Sequence, residues 1–161
     1  MDSPIIPSQN IKAKERPAVS VALLAALTFV AFLDNFSQLP IVAPRAQSFG
    51  SAGAMIGWFV GAYSLTNMIG NGAAGYSLDR WGRRTPLTVG FLWAGIGFLI
   101  YAFIETPVAY LLARGFHGLG GGILVPAIFT VAGDSVSKES RGAAMGRIGA
   151  TIGMAAVFGP L

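Results

Sequence analysis

Gly75-Tyr76-Ser77-Leu78-Asp79-Arg80-Trp81-Gly82-Arg83-Arg84 places four charged side chains within six positions, between two long stretches that carry none. Before it, Ala46 to Leu78 is uncharged; after it, Pro86 to Ile104 is uncharged too. A short charged turn between two apolar runs of this length is the pattern of a helical hairpin in a bilayer. A run of ~20 residues, at ~1.5 Å per residue, matches a hydrocarbon layer of about 30 Å. Backbone polar groups in lipid must find partners inside their own segment, so the runs are expected as helices. Alternation of the kind that marks a membrane barrel is missing from them. Within the turn, Gly82 suits a positive φ and Gly75 suits close helix contact. Asp79 can face a helix N-terminus or a cation, and the arginines can pair with carboxylates of other loops. A generic basic loop would account for the arginines but not for the spacing of Gly75, Asp79 and Gly82.

Outward from this hairpin the same composition continues. Hydrophobic residues make up 53% of the 161 and charged residues 11%, where a soluble domain carries about 25% charged. The mean hydropathy is +0.62. Pro17 to Pro44 is an apolar stretch broken only by Asp34, and a second span is expected at about 53–76. Pro86 to Ile104 forms the third, and Val108 to Gly133, with Arg114 inside it, the fourth. Glu105-Thr106-Pro107 separates these two, with Pro107 suited to a first helical turn. Asp134 to Arg141 is a polar loop, and Gly142 to Leu161 begins a fifth span. The expectation is five transmembrane helices over residues 18–161, behind a polar tail at 1–17, in a chain cut inside its fifth helix.

Charge placement gives the orientation. Lys12, Lys14, Arg16, Arg80, Arg83, Arg84, Lys138, Arg141 and Arg147 fall on one side of a five-span topology, and Arg45 and Glu105 on the other. This excess puts the N-terminus in the cytoplasm of a cell-membrane protein. The leading tail lacks the form of a cleavable signal peptide. No basic stretch is interleaved with aromatics, so nucleic acid is not an expected partner. With no cysteine and a single histidine, neither disulfides nor a thiolate metal site can form, and an enzyme is not expected. No cofactor or metal is implied.

Several polar residues lie inside the spans. Charges there are costly and mark function by default. Arg114-Gly115-Phe116-His117-Gly118-Leu119-Gly120-Gly121-Gly122 puts Arg114, Gly118 and Gly122 on one helix face, with His117 and Gly121 beside it. The glycines suit close helix packing. Arg114 fits either a functional site or a structural ion pair. His117 fits either a proton carrier or a residue that only hydrogen-bonds. Asp34, with Ser37 and Gln38 on its face, is a candidate for proton coupling; the alternative is a carboxylate neutralised by Arg114. In the second span Tyr63, Thr66, Asn67 and Asn71 form a polar face fit to line a cavity, together with Gln38. Gly53, Gly57 and Gly61 suggest close packing on another face.

The pattern Gly75 to Arg84 resembles the signature loop between the second and third helices of the major facilitator superfamily. Arg114 to Gly122 is similar to that family's fourth-helix motif, with His117 where glutamine is usual. Gly149, Gly153, Gly159 and Pro160, preceded by Arg141 to Gly146, resemble the fifth helix of its drug:proton antiporter branch. The resemblance covers about residues 19–161 and implies the N-terminal five helices of an incomplete six-helix half, within a fold of two such halves. It implies a conformational-switch role for Gly75, Asp79, Arg80, Gly82, Arg83, Arg84 and Asp134, with Asp134 paired to Arg83 or Arg84. It implies proton coupling through Asp34, Arg114 and His117, with Asp34 and Arg114 facing a shared cavity. The expected activity is proton-coupled efflux of small drug-like molecules by a protein that is monomeric when full length, its partners being substrate, protons and lipid. The alternatives are a sugar or metabolite importer of the same fold and a non-transporting membrane protein or pseudogene fragment.

Overall fold

The computed structural model describes residues 19–50 and 53–161, and all regular elements among them are helical. In chain order they are α1 (Val21–Ser37), α2 (Leu39–Ser48), α3 (Gly53–Trp81), α4 (Arg84–Ile100), a 3-10 turn (Tyr101–Phe103), α5 (Pro107–Asp134), a 3-10 turn (Lys138–Ser140) and α6 (Arg141–Phe158). The tail expected at 1–17, with Lys12, Lys14 and Arg16, lies outside the described residues.

The ends follow local chemistry. Ser20 caps α1, its hydroxyl accepting from the Leu23 amide at 3.2 Å. Thr106 caps α5 in the same way, with Pro107 in the first turn, where a missing N–H costs nothing. Two boundaries differ from the sequence reading. The first apolar stretch breaks at Gln38, because Pro40 has no N–H to continue the ladder, and then runs on as α2 past Pro44 to Ser48. The second helix extends through Asp79 and Arg80 to Trp81, so the turn proper is Gly82–Arg83, with Gly82 at φ +75°.

Helix α5 is the centre of the bundle. Of its apolar stretch 56% is buried, against 22% for Val21–Ser48 and for Arg84–Phe103. Helices α3 and α4 pack on α5, and α6 packs on α1. Two apolar clusters close the ends. Val42, Ala46, Phe59, Ile104, Tyr110 and Ala113 form one, and Leu24, Ile128, Val131, Ala132 and Ile148 the other. Outward faces are apolar rather than charged: Trp58, Met68, Leu99 and Leu112 are each at least 65% exposed. A surface of that kind is suited to lipid, not water.

Three stretches, Val21–Ser48, Arg84–Phe103 and Pro107–Asp134, are long and apolar enough to cross a bilayer by length and composition. The expected count of five is therefore reached only in part. Helices α3 and α6 belong to the same bundle at 29 and 18 residues, but polar residues and glycines dilute them. The expected close packing at Gly53, Gly57, Gly61 and Gly75 is not found among the described residues: a Cβ built on any of them meets no atom of theirs within 4 Å.

Candidate functional site

The site grows from the seam between α3 and α5. A methyl group at Gly122 would fall on the Asn67 carbonyl, and one at Gly118 on the Tyr63 carbonyl. Glycine at these positions lets the two backbones approach far more closely than any side chain permits. On the other side of α5, a Cβ at Gly97 of α4 would lie 2.9 Å from the His117 Cβ, so Gly97 makes room for the imidazole. Trp93 ties the same two helices by donating its indole N–H to the Phe116 carbonyl at 2.8 Å.

Inside this frame α1 meets α5. The Asp34 carboxylate Oδ2 lies 2.9 Å from His117 Nε2. His117 is fully buried, while the Asp34 side chain keeps 19% of its surface. The other ring nitrogen, Nδ1, is 3.2 Å from the Tyr101 hydroxyl. Arg114, one turn before His117 on α5, is 5% exposed. Its Nε donates to the Phe59 carbonyl at 3.1 Å, and its guanidinium lies 4.6 Å over the Tyr63 ring. Nη1 of Arg114 has no hydrogen-bond partner among the described residues. The Tyr63 hydroxyl in turn accepts from Asn35 Nδ2 at 2.8 Å, so one tyrosine braces α1, α3 and α5.

Asp34 thus pairs with His117, and the alternative of a carboxylate neutralised by Arg114 finds no such ion pair among the described residues. The reason is position: the imidazole reaches across from α5 to α1, while the arginine turns toward α3. A cavity of about 340 Å³ opens beside them, lined by Asn35, Gln38, Tyr63, Asn67 and Arg114 among apolar neighbours. Gln38, Tyr63 and Asn67 are among the lining residues. Asp34 is not part of the lining, and neither is Asn71, which is exposed and donates to Asn67 Oδ1 at 3.0 Å.

At one end of the bundle the charged turn folds onto the end of α5. Arg83 Nε lies 2.8 Å from Asp134 Oδ2, the ion pair expected from sequence. Arg83 Nη1 also donates to the Leu78 carbonyl at 3.1 Å, and Asp79 lies 4.0 Å away. Arg80 turns instead to Tyr76, donating to its hydroxyl at 3.1 Å. Arg84, in the first turn of α4, is exposed and joins no ion pair among the described residues. At the opposite end Arg45 donates to the Ile104 carbonyl and covers the Phe49 ring at 5.0 Å.

Among the glycines of α6 and its cap, only the capping Gly159 is in close contact with the described residues: a Cβ there would lie 2.6 Å from that of Phe36. Gly149 and Gly153 face open space, and Pro160 is exposed beyond the helix end. Two contributors escaped the sequence reading. Asn35 carries no signal beyond its place next to Asp34. Tyr101 ends an apolar span and reads as an aromatic of the membrane interface.

Comparison with known proteins places this arrangement. The family model for the Major Facilitator Superfamily matches residues 24–161. "Multidrug resistance protein 1" of Bacillus subtilis (strain 168) is 22% identical over 146 residues, 91% of this chain and 38% of its own length. "Multidrug resistance protein 3" of the same organism is 32% identical over 104 residues, 65% of this chain and 20% of its length. "Multidrug transporter protein MdtP", also from it, is 28% identical over 153 residues, 95% of this chain and 28% of its length. The chain thus spans between a fifth and two fifths of these relatives. Matched along most of its length by that model, the chain belongs to the Major Facilitator Superfamily.

Proposed function

We propose that the full-length protein is a secondary active transporter that exports small drug-like molecules in exchange for inward-moving protons. The observation that carries this reading is the pairing of Asp34 with His117 beside the cavity that Arg114 lines. A carboxylate inside a span is expensive, about 2.5–3.5 kcal/mol on insertion scales, and persists where it has work to do. Asp34 can take up a proton through its exposed edge without leaving its partner. When it does, the negative charge that balances Arg114 is lost, and the two charge states favour different helix arrangements. Relatives named for multidrug resistance support a drug-like substrate, and so does a cavity that mixes amides with apolar walls.

In this reading the Arg83–Asp134 bridge, with Asp79, Arg80, Gly82 and Arg84 around it, holds the cytoplasmic ends of the helices in one arrangement and releases them in the other. The N-terminus is cytoplasmic, by the excess of Lys and Arg at that end. The working unit is a monomer in the cell membrane.

The test is efflux of a lipophilic fluorescent dye from proteoliposomes carrying the full-length protein under an imposed pH gradient. Asp34→Asn is expected to abolish gradient-driven efflux while inserting normally. Arg114→Ala is expected to impair coupling more than Arg114→Lys, which keeps the charge though not the planar fork. Full gradient-driven efflux by Asp34→Asn would remove Asp34 as the proton site.

A further inference from the structure

Among the described residues, Arg114 is the one charged side chain that lines the cavity of about 340 Å³. It is 5% exposed, and while Nε is held by the Phe59 carbonyl, Nη1 has no acceptor among the described residues. A buried charged donor without an acceptor costs more than a neutral one left the same way. Its neighbours in the lining on α3 also have hydrogens to give. Tyr63, whose ring lies under the guanidinium, accepts from Asn35 Nδ2, so its own O–H hydrogen remains to be donated. Asn67, one turn on, has its oxygen engaged by Asn71 at 3.0 Å, so what it offers is Nδ2. The rest of the lining is mixed or apolar. Asn35 and Gln38 bring amide oxygens from the α1 side, and Leu39, Val42, Ile56 and Val60 form the apolar wall. Where α3 meets α5, the cavity therefore presents donors around a single cation.

An acceptor oxygen completes this corner, and two chemistries supply one: a carboxylate or an uncharged carbonyl. Charge decides between them. In an exchange of substrate for protons, the substrate occupies the cavity while the proton is away. Whichever of Asp34 and His117 carries that proton, its departure leaves one carboxylate against one guanidinium. A carboxylate on the substrate would then meet a charge already balanced, and buried charge without a counter-charge is costly. An uncharged oxygen accepts from the donors and leaves the balance intact.

We propose that Arg114, Tyr63 and Asn67 form a subsite for a carbonyl oxygen of the exported molecule, carried as a ketone, ester or amide, with the apolar body of that molecule against Val42, Ile56 and Val60. This rests on the reading of the full-length protein as a proton-exchanging exporter, and it names the substrate class that its cavity takes. Arg114 then donates to the substrate from the cavity wall. The apolar wall makes no directional demand, so the subsite selects one functional group rather than one molecular shape.

The experiment is dye binding to the full-length protein in detergent, without a pH gradient, followed by fluorescence anisotropy. Three xanthene dyes share one cationic ring system and differ at a single position, which carries an ethyl ester, a free carboxylate or a propyl group. The ester is expected to bind about tenfold or more tighter than the propyl dye, as a hydrogen bond from a charged donor implies, and tighter than the carboxylate as well. In Arg114→Met the advantage of ester over propyl is expected to vanish. In Tyr63→Phe, which keeps a ring under the guanidinium, and in Asn67→Ala it is expected to shrink by about threefold, the size of a neutral hydrogen bond. A loosened fold weakens both dyes alike, so their ratio isolates the oxygen, and the two milder variants carry the test if Arg114→Met does not insert. Equal binding of the ester and propyl dyes by the wild type would overturn the proposal. So would a ratio that no variant changes, or a carboxylate dye that binds more tightly than the ester. Because binding needs no gradient, its outcome separates from that of the efflux assay. Indifference to the oxygen in a protein that still exports against protons sinks this inference alone. An ester preference that depends on Arg114, in a protein without proton-driven export, sinks only the transport reading.

Discussion

Gly118 and Gly122 on α5, and Gly149 and Gly153 on α6, share one spacing and opposite surroundings. On α5 an added methyl would strike the backbone of α3; on α6 it would meet no atom within 4 Å. Four-residue glycine spacing in an apolar helix states that a face is smooth, and only a partner turns smoothness into close approach. On α5 that partner is α3, and the approach brings Tyr63 under the guanidinium of Arg114 and toward His117. Among the described residues, the contact of Phe36 with Gly159, the cap of α6, is the single place where this helix uses a glycine in this way.

The contrast can be broken at graded cost, read as thermal stability of the full-length protein in detergent. Gly122→Ala sets a methyl against the Asn67 carbonyl, backbone that has no rotamer to escape into. A loss of about 3 kcal/mol or more is expected, the upper part of the overpacking range, with Gly118→Ala close behind. Gly121→Ala meets the Tyr63 hydroxyl at 2.5 Å, the end of a side chain that can swing aside. Its stability loss is expected at about 1–2 kcal/mol, but the displaced Tyr63 should weaken gradient-driven efflux well beyond that loss. Wild-type efflux from a stably folded Gly121→Ala protein would show that Tyr63 does not brace the site.

Two carboxylate contacts sharpen the comparison from another direction. His117 is fully buried and Asp34 keeps 19% of its side-chain surface, whereas Arg83 and Asp134 retain 33% and 44%. Screening by water holds such a bridge to about 1 kcal/mol or less. A double-mutant cycle of Arg83→Ala with Asp134→Asn is expected to return a coupling in that range, and to change transport rate more than stability. A coupling of several kcal/mol would make the bridge a structural clamp. At the small end, Gly149→Ala is expected within about 0.5 kcal/mol of wild type. A loss matching Gly122→Ala would mean that another surface of the full-length protein closes on α6.

Much of this architecture could be read from residue order. Uncharged runs of bilayer length located the helices, the Gly82 turn followed from loop spacing, and an ion pair of Asp134 with Arg83 or Arg84 followed from the family resemblance. What escaped was set by three-dimensional register. Pro40 and Pro44 sit four apart in one apolar stretch, yet the first falls in the first turn of α2, just after the break at Gln38, and the second lies inside that helix. The fate of Asp34 was hidden for a similar reason. Arg114 and His117 are both basic and three residues apart, and only the rotation of α5 against α1 decides which one meets the carboxylate. Tyr101 is beyond any periodicity argument, since its hydroxyl matters only because Gly97 lets His117 lie against α4.

The most direct measurement is proton release on substrate binding, followed with a pH dye in weakly buffered detergent solution of the full-length protein. Addition of a lipophilic cationic dye to the wild type is expected to release protons, as Asp34 gives up the one it holds. Asp34→Asn is expected to bind the dye and release none. Undiminished release from Asp34→Asn would contradict the placement of the exchanged proton on this carboxylate.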